Sequence, residues 1–275
     1  MSEGAAIGAR PVGVFDSGMG GLTVLRALRE TLPHESFVYL GDTARLPYGT
    51  KSAETVTRYA LQASAVLVEQ GIKALVVACN TASAAALPAL AERYDPLPVI
   101  GVVEPGAAAV ARASGSSGRV LVLATESTVR GGAYSRAILQ AAPRLSVLSR
   151  PSPLLVALAE DGRTSDPLAQ LALSEYAAPA LAPGTVTAVL LGCTHFPVFA
   201  DALRALLPSS TGLIDSAQTT ALALAEQLER TGLRAPPGAA RQLTRFYATD
   251  DVARFARIGS RFLGAGITGA ELIDL

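Results

Sequence analysis

Short apolar runs alternate with longer helical stretches along this 275-residue chain. The run Ala74–Ala78 is apolar throughout and Val186–Leu191 is apolar except at Thr187, as expected of strands that are buried on both faces. Strands that alternate with helices favour a parallel sheet covered by helices on both sides. We predict strands at Val12–Phe15, Ser36–Leu40, Ala74–Ala78, Val99–Val103, Val120–Ala124, Leu145–Ser149, Val186–Leu191, Gly212–Ile214, Leu243–Ala248 and Glu271–Leu275.

The stretches between these runs have helical periodicity. Two groups of turn-forming residues, Glu104–Gly106 and Ser114–Gly118, indicate a domain boundary near the middle of the chain. The predicted helices are Leu22–Thr31, Ala53–Gln70, Ser83–Tyr94, Ala107–Ala113, Thr128–Ala142, Leu154–Glu160, Pro167–Leu181, Phe199–Leu206, Ala217–Arg230 and Asp251–Leu263.

The two halves of the chain repeat one pattern. Each half has a strand that ends in polar residues, at Asp16 in the first half and at Thr125 in the second. Each then has an apolar strand that ends in a cysteine, at Cys79 and at Cys193, after a similar length of chain. This pattern predicts a pair of similar α/β units.

The balance of positive and negative side chains limits the classes of partner that the chain is expected to bind. The chain has 23 Lys and Arg against 23 Asp and Glu, so no basic field favours nucleic acid, and we expect a small-molecule ligand. The first residues lack a signal-peptide pattern, and no apolar run approaches the ~18 residues of a membrane span. We therefore expect a cytoplasmic protein with no membrane partner.

The chain has only two cysteines and two histidines. In a cytoplasmic protein the cysteines are expected to be reduced thiols rather than a disulfide. Two thiols and two scattered histidines are too few for a zinc site, so we predict no metal.

The glycine-rich segment Phe15–Gly21 follows the first strand. Its glycines let backbone N–H groups approach an anionic ligand, but Asp16 could equally be a helix cap in a tight turn. The next strand is followed by a long loop with Asp42, Arg45 and Tyr48. This loop could cover a polar substrate, or it could be an ordinary surface loop in which Arg45 pairs with Asp42.

Cys79 and Cys193 each stand at a strand end. A thiol at the start of a helix feels the positive end of the helix dipole, which stabilises the thiolate. A lone cysteine is more often a small apolar filler, and His195 could be a capping residue. The equivalent placement of both cysteines nevertheless favours a matched pair of acid/base groups in a site between the two halves.

These segments resemble those of the aspartate/glutamate racemase family, and of the glutamate racemases within it. The resemblance runs in order from about residue 12 to residue 216. It is carried by Gly13–Leu25, Gly41–Gly49, Ala78–Ser83, Gly101–Gly106, Ala124–Val129, Gly192–Pro197 and Ile214–Ser216.

The resemblance implies two similar parallel-sheet α/β domains related by a pseudo-twofold, with the active site at their interface. We assign residues 1–105 and 214–275 to the first domain and residues 106–213 to the second. The implied activity is interconversion of L- and D-glutamate without pyridoxal phosphate or any other cofactor, which supplies D-glutamate for peptidoglycan. We also expect a homodimer.

The resemblance also implies roles for individual residues. Cys79 and Cys193 correspond to the catalytic thiols, Asp16 and His195 to groups that assist the proton transfers, and Glu160 to an assisting glutamate. We hypothesise that Asp16 serves Cys79 and that His195 serves Cys193. The implied substrate-binding residues are Asp16, Ser17, Tyr48, Gly49, Asn80, Thr81, Thr125, Thr194 and His195.

The segment around Glu160 departs from the family pattern. Ser152 stands where the family commonly has a cysteine, and Ala157 where it commonly has a proline. The alternative for Glu160 is an exposed acid at the end of a helix.

Three other functions stay open. A sister racemase for aspartate or a hydantoin would use the same thiols. A cysteine hydrolase would pair Cys193 with His195, although side chains two positions apart rarely form such a pair, and it would leave Cys79 unexplained. A non-enzymatic small-molecule sensor or protein inhibitor on this fold is the third.

Overall fold

The structure, a computed structural model, describes residues 7–115, 117–236 and 243–275. The strands are β1 Val12–Asp16, β2 Phe37–Gly41, β3 Ala74–Val77, β4 Val99–Gly101, β5 Gly118–Ala124, β6 Leu145–Pro151, β7 Ala188–Gly192, β8 Gly212–Asp215, β9 Thr244–Ala248 and β10 Glu271–Leu272. The α-helices are α1 Leu22–Thr31, α2 Ala53–Glu69, α3 Asn80–Tyr94, α4 Val103–Ser114, α5 Glu126–Gly131, α6 Ala133–Ala141, α7 Pro153–Glu160, α8 Pro167–Ala177, α9 Ala200–Leu206, α10 Ser216–Arg230 and α11 Val252–Leu263.

The strands form two parallel sheets, which confirms the predicted α/β fold. The six-stranded sheet has the order β10-β9-β2-β1-β3-β4, and the four-stranded sheet has the order β6-β5-β7-β8. All the strand pairs in both sheets are parallel. The segment β2-β1-β3-β4 therefore has the same strand order as β6-β5-β7-β8, as two units related by a pseudo-twofold require.

Strand order decides where the functional residues meet. Asp16 ends β1 and Cys79 follows β3, while Thr125 follows β5 and Cys193 follows β7. In each sheet the two strands concerned are direct neighbours, β1 with β3 and β5 with β7. The carboxyl ends of neighbouring parallel strands lie at one edge of the sheet, which is where ligands bind in such folds.

One apolar cluster joins the two units. It contains Val14 of β1, Leu123 of β5 and Phe255 of α11, all of them buried. Because residues from both sheets share this cluster, the edge with Cys79 and the edge with Cys193 are held against each other by side-chain packing.

Several predicted helices have different bounds. The predicted single helix Thr128–Ala142 is wrong, because Gly132 adopts a left-handed conformation with φ 64° and separates α5 from α6. The predicted helix Ala107–Ala113 begins earlier, at Val103, since Pro105 lies in the first turn, where a missing N–H is tolerated. The predicted helix Pro167–Leu181 ends as α8 at Ala177, and a short 3-10 turn follows.

The predicted domain junctions fall inside two elements. The junction after residue 105 lies within α4, and the junction after residue 213 lies within β8. The division of the chain into domains stays a prediction. In the described parts of the chain, the helices are too short or too polar to cross a lipid bilayer.

Candidate active site

A cavity of about 340 Å³ opens between the carboxyl ends of the two sheets. Of the predicted site residues, Asp16 alone does not line it; this residue is fully buried behind the wall. The predicted residues that line the cavity are Ser17, Tyr48, Gly49, Cys79, Asn80, Thr81, Thr125, Glu160, Cys193, Thr194 and His195. Lining residues that were not among the predicted site residues are Gly18, Met19, Leu46, Pro47, Thr50, Glu126, Pro153, Val156 and Ala157.

Cys79 caps the start of α3. Its Sγ accepts a hydrogen bond from the backbone N–H of Ala82 at 3.4 Å and donates one to Oγ of Ser17 at 3.4 Å. Burial, with the nearby Asp16 carboxylate as a smaller cause, raises the pKa of the Cys79 thiol to about 12. Cys79 is therefore a protonated thiol near neutral pH.

Cys193 follows β7 and is placed beside an imidazole. Its Sγ lies 3.8 Å from Nδ1 of His195, and Nε2 of His195 lies 3.2 Å from Oε1 of Glu160. Side chains two positions apart do meet here, as the hypothesis that His195 serves Cys193 expects, so their spacing is no argument against a Cys193–His195 contact. The two side chains can meet because the chain turns soon after β7, where a 3-10 turn begins at Phe196.

The environment of His195 favours its protonated form. Burial lowers its pKa, but hydrogen bonds to Cys193 and Glu160 and the charges of both outweigh this effect and raise the pKa to about 10. For Glu160, burial raises the pKa, and His195 together with Arg254 brings it below the ordinary value. Glu160 is thus an ionised partner of the imidazole and not an exposed helix-end acid.

Asp16 is buried beneath the glycine-rich turn and is hydrogen-bonded to its backbone. Its Oδ2 accepts a hydrogen bond from the N–H of Gly18 at 2.9 Å. Burial raises its pKa, and backbone hydrogen bonds from Gly21 and the charge of His195 oppose that rise. The carboxylate acts electrostatically on Cys79 and His195 alike.

Uncharged polar groups form another part of the wall. Oγ1 of Thr81, at the start of α3, lies 2.9 Å from Oγ1 of Thr125, which caps α5. Nδ2 of Asn80 donates to the hydroxyl of Tyr134 at 2.7 Å, and Oγ1 of Thr194 lies 3.4 Å from Nδ1 of His195. Hydroxyls from both units therefore meet at the cavity without added charge.

The loop after β2 is fixed by the buried carboxylate of Asp42. This carboxylate accepts hydrogen bonds from the hydroxyl of Tyr48, from Nε of Arg45 at 2.7 Å and from Oγ1 of Thr249 at 2.9 Å. The Arg45–Asp42 pair is the one expected of an ordinary loop, yet Tyr48 on the same loop lines the cavity. A side chain at Gly49 would collide with Thr125, since a Cβ there would lie 2.8 Å from that residue's Cβ.

Helix α11 supplies two site contacts that the sequence analysis missed. Nη2 of Arg254 donates to Oε2 of Glu160 at 3.0 Å, and the ring of Phe262 packs edge-on against His195 with centroids 5.1 Å apart. The helical pattern of this segment indicated an apolar face but not the element it covers. No signal in the sequence distinguished Arg254 from the other arginines of the helix.

The arrangement can carry a proton to and from one bound molecule. Two cysteines line the same cavity from different sheets: Cys79, whose pKa is raised, and Cys193, which lies beside the protonated imidazole of His195. Within residues 7–115, 117–236 and 243–275, no three His, Cys, Asp or Glu side chains are grouped so that they could hold a metal ion.

Comparison with known proteins agrees with this geometry. Residues 19–224 match the family described as Asp/Glu/hydantoin racemase. A glutamate racemase of Geobacter metallireducens is 46% identical over 269 residues, which is 97% of each chain.

Two solved structures share the whole fold. Glutamate racemase from Francisella tularensis in complex with D-glutamate has a TM-score of 0.88 at 34% identity, over 97% of this chain and 98% of that one. Glutamate racemase from Thermus thermophilus in complex with β-chloro-D-alanine has a TM-score of 0.86 at 44% identity, over 98% of each chain.

Proposed function

The chain belongs to the Asp/Glu/hydantoin racemase family, and from that premise we propose that it interconverts L- and D-glutamate by moving the α-proton between Cys79 and Cys193. The observation that supports this most directly is the position of the two thiols. They line one cavity, and each follows the third strand of its own β2-β1-β3-β4-type unit.

Racemisation needs two groups because the proton leaves one face of the α-carbon and a proton arrives on the other. A single base returns the proton to the face it came from unless the proton exchanges with solvent. One thiolate and one thiol on opposite faces solve this directly, and their roles exchange with the direction of the reaction. The imidazolium of His195 is a positive neighbour for a thiolate at Cys193, while Cys79 supplies the thiol.

The carbanion formed on proton loss must be stabilised by the site. Hydrogen bonds to the substrate α-carboxylate become stronger as negative charge moves onto it. We assign this task to the start of α3, where Asn80 and Thr81 combine polar side chains with the positive end of the helix dipole. Thr125 and Thr194 add donors from the other unit, and no cofactor is needed to carry the charge in this proposal.

The relatives of this chain support glutamate as its substrate. The 46% identical Geobacter protein is a glutamate racemase, and the solved Francisella structure holds D-glutamate. We propose that the D-glutamate serves peptidoglycan synthesis in the cytoplasm, where thiols stay reduced. Growth of a D-glutamate auxotroph on expression of this chain would test that role. The homodimer stays a prediction, which light scattering would test.

The decisive experiment is racemisation in D2O. L-Glutamate and D-glutamate are each incubated with the protein and followed by circular dichroism and NMR. The native chain should give the opposite enantiomer with deuterium at the α-carbon. Cys79→Ser and Cys193→Ser should each lower the rate by a factor of 100 or more, on the order expected for loss of an acid/base group, ~10²–10⁴.

Two outcomes would contradict the proposal. Racemisation that survives both single substitutions at near-native rate would rule out the two-thiol mechanism. A higher kcat/KM for aspartate or a hydantoin, measured in parallel, would replace glutamate as the substrate while leaving the mechanism in place.

A further inference from the structure

Glu160 stands at an unfavourable place for a carboxylate. It is the last residue of α7, and the carboxyl end of a helix carries partial negative charge. Its side chain is nevertheless only 18% exposed and points Oε1 at His195. Something must offset the repulsion between the helix end and this acid.

The compensating charges come from one face of α11. Nη2 of Arg254 donates to Oε2 of Glu160 at 3.0 Å, and Nη1 of Arg261 donates to the backbone carbonyl of the same residue at 3.1 Å. Residues seven positions apart lie on the same side of a helix. A single helix thus satisfies both the carboxylate and the helix end of Glu160.

This contact joins the two units. Helix α11 follows β9 of the six-stranded sheet, whereas Glu160, Cys193 and His195 all belong to the segment that carries the four-stranded sheet. Phe262 of α11 also packs against the His195 ring. The imidazole beside Cys193 is therefore held through a helix that belongs to the other sheet.

We propose that Arg254 is a positioning residue for the Cys193 half of the site: it holds the Glu160 carboxylate against His195 and makes that contact depend on the packing of α11. The charged groups around His195 are Cys193 on its own strand end, Glu160 on α7, Asp16 at the end of β1 and, behind Glu160, Arg254 and Arg261 on α11. The kinetic part of this inference rests on the proposed racemisation.

The first test uses Arg254→Met, Arg254→Lys and the control Arg257→Met. Arg257 is an exposed arginine of the same helix, so its replacement removes the same charge away from Glu160. Arg254→Met should lower kcat/KM for L-glutamate about three- to ten-fold, as loss of one charge-assisted hydrogen bond does. Arg254→Lys should restore most of it, because only Nη2 contacts the carboxylate, and Arg257→Met should match the native chain.

A double-substitution cycle separates positioning from general stabilisation. If Arg254 acts through Glu160, adding Arg254→Met to Glu160→Gln should lower kcat/KM no further. Equal losses in both backgrounds would overturn the inference. So would native activity in Arg254→Met, as expected if this contact were an exposed ion pair of negligible effect.

The second test needs no activity. The chain has only two histidines, His34 and His195, so NMR can follow both in one titration. In Arg254→Met the titration midpoint of His195 should fall towards the ordinary histidine value while that of His34 stays unchanged, and Arg254→Lys should recover it.

Every result of this titration decides the inference. An unchanged or raised His195 midpoint overturns it, because the carboxylate would then hold the imidazole without help from Arg254. If the native chain does not racemise glutamate, the proposed function fails, and the titration alone decides the role of Arg254.

Discussion

Sγ of Cys193 lies 3.8 Å from Nδ1 of His195, whereas the Cys79 thiol meets the hydroxyl of Ser17 at 3.4 Å. Two units with the same strand order thus present chemically different neighbours to the two thiols. Because the two thiols have different neighbours, substitutions near one thiol should affect the reaction differently from substitutions near the other.

The two proton transfers should respond to different substitutions. His195→Gln should slow transfer at Cys193, and Asp16→Asn should slow transfer at Cys79. The equilibrium constant of a racemisation is 1, so kcat/KM stays equal in the two directions, and the difference must be sought in isotope effects. With α-deuterated L- and D-glutamate, His195→Gln should raise the isotope effect in one direction and lower it in the other.

Asp16→Asn should give the opposite pattern. Both substitutions shifting the isotope effects in the same sense would contradict the assignment of Asp16 to Cys79 and of His195 to Cys193. Gln218→Ala, a surface change outside the cavity lining, serves as the control.

The reactivity of Cys79 should depend steeply on pH. Its pKa is raised to about 12, and only the thiolate is alkylated, so the thiolate fraction rises about ten-fold per pH unit below that value. In Cys193→Ser, the rate at which iodoacetamide alkylates Cys79, followed by mass spectrometry, should therefore rise about ten-fold with each pH unit from pH 7 to pH 10, roughly 1000-fold in all. A plateau below pH 9 would show that the buried thiol ionises more readily than its surroundings indicate.

Gly20 should be intolerant of a side chain. A Cβ at this position would lie 2.4 Å from Nδ1 of His195 and 2.4 Å from Oγ1 of Thr194. Gly20→Ala should displace the imidazole and lower kcat by ten-fold or more, on the order that misplacement of a catalytic group by about 1 Å costs. The matched control is Gly131→Ala, where no heavy atom lies within 4 Å of the added Cβ. Equal activity of the two variants would contradict the close approach.

Asp42 should act on substrate affinity through Tyr48. Asp42→Ala leaves the Arg45 guanidinium and the Tyr48 hydroxyl without their shared acceptor, and breaking a buried pair costs ~3 kcal/mol of unfolding free energy or more. Asp42→Asn keeps acceptor oxygen and should preserve the fold while raising KM more than it lowers kcat. The control is Asp201→Ala, at a fully exposed carboxylate paired with Arg204. A loss confined to kcat would place Asp42 in the proton transfer instead.

The sequence was informative about strands and about the residues at their carboxyl ends. Apolar runs bounded by polar turns mark buried parallel strands, so the positions of Cys79 and Cys193 at strand ends could be predicted. The break at Gly132 was missed because a glycine within a helical pattern is often tolerated. The hypothesis that His195 serves Cys193 placed these two residues together, but sequence spacing alone does not describe the turn after β7 that lets their side chains meet.

The contacts that α11 makes with the site could not be predicted from the sequence. An amphipathic pattern shows that a helix has a buried face, but the partner of that face depends on how sheets pack in three dimensions. Phe255 and Phe262 of α11 both enter the shared apolar cluster, and this packing holds the helix that carries Arg254.

The pairing of β9 with β2 also bears on the synthesis of the chain. Phe37 lies opposite Thr244, so this side of β2 stays an unpaired sheet edge until the ribosome has reached β9, about 200 residues later. Helix α11 follows β9 directly, so both elements become available to the fold together. Catalytic competence should consequently arise only after α11 has been made, when its arginine and phenylalanine reach a cavity whose thiols were translated earlier.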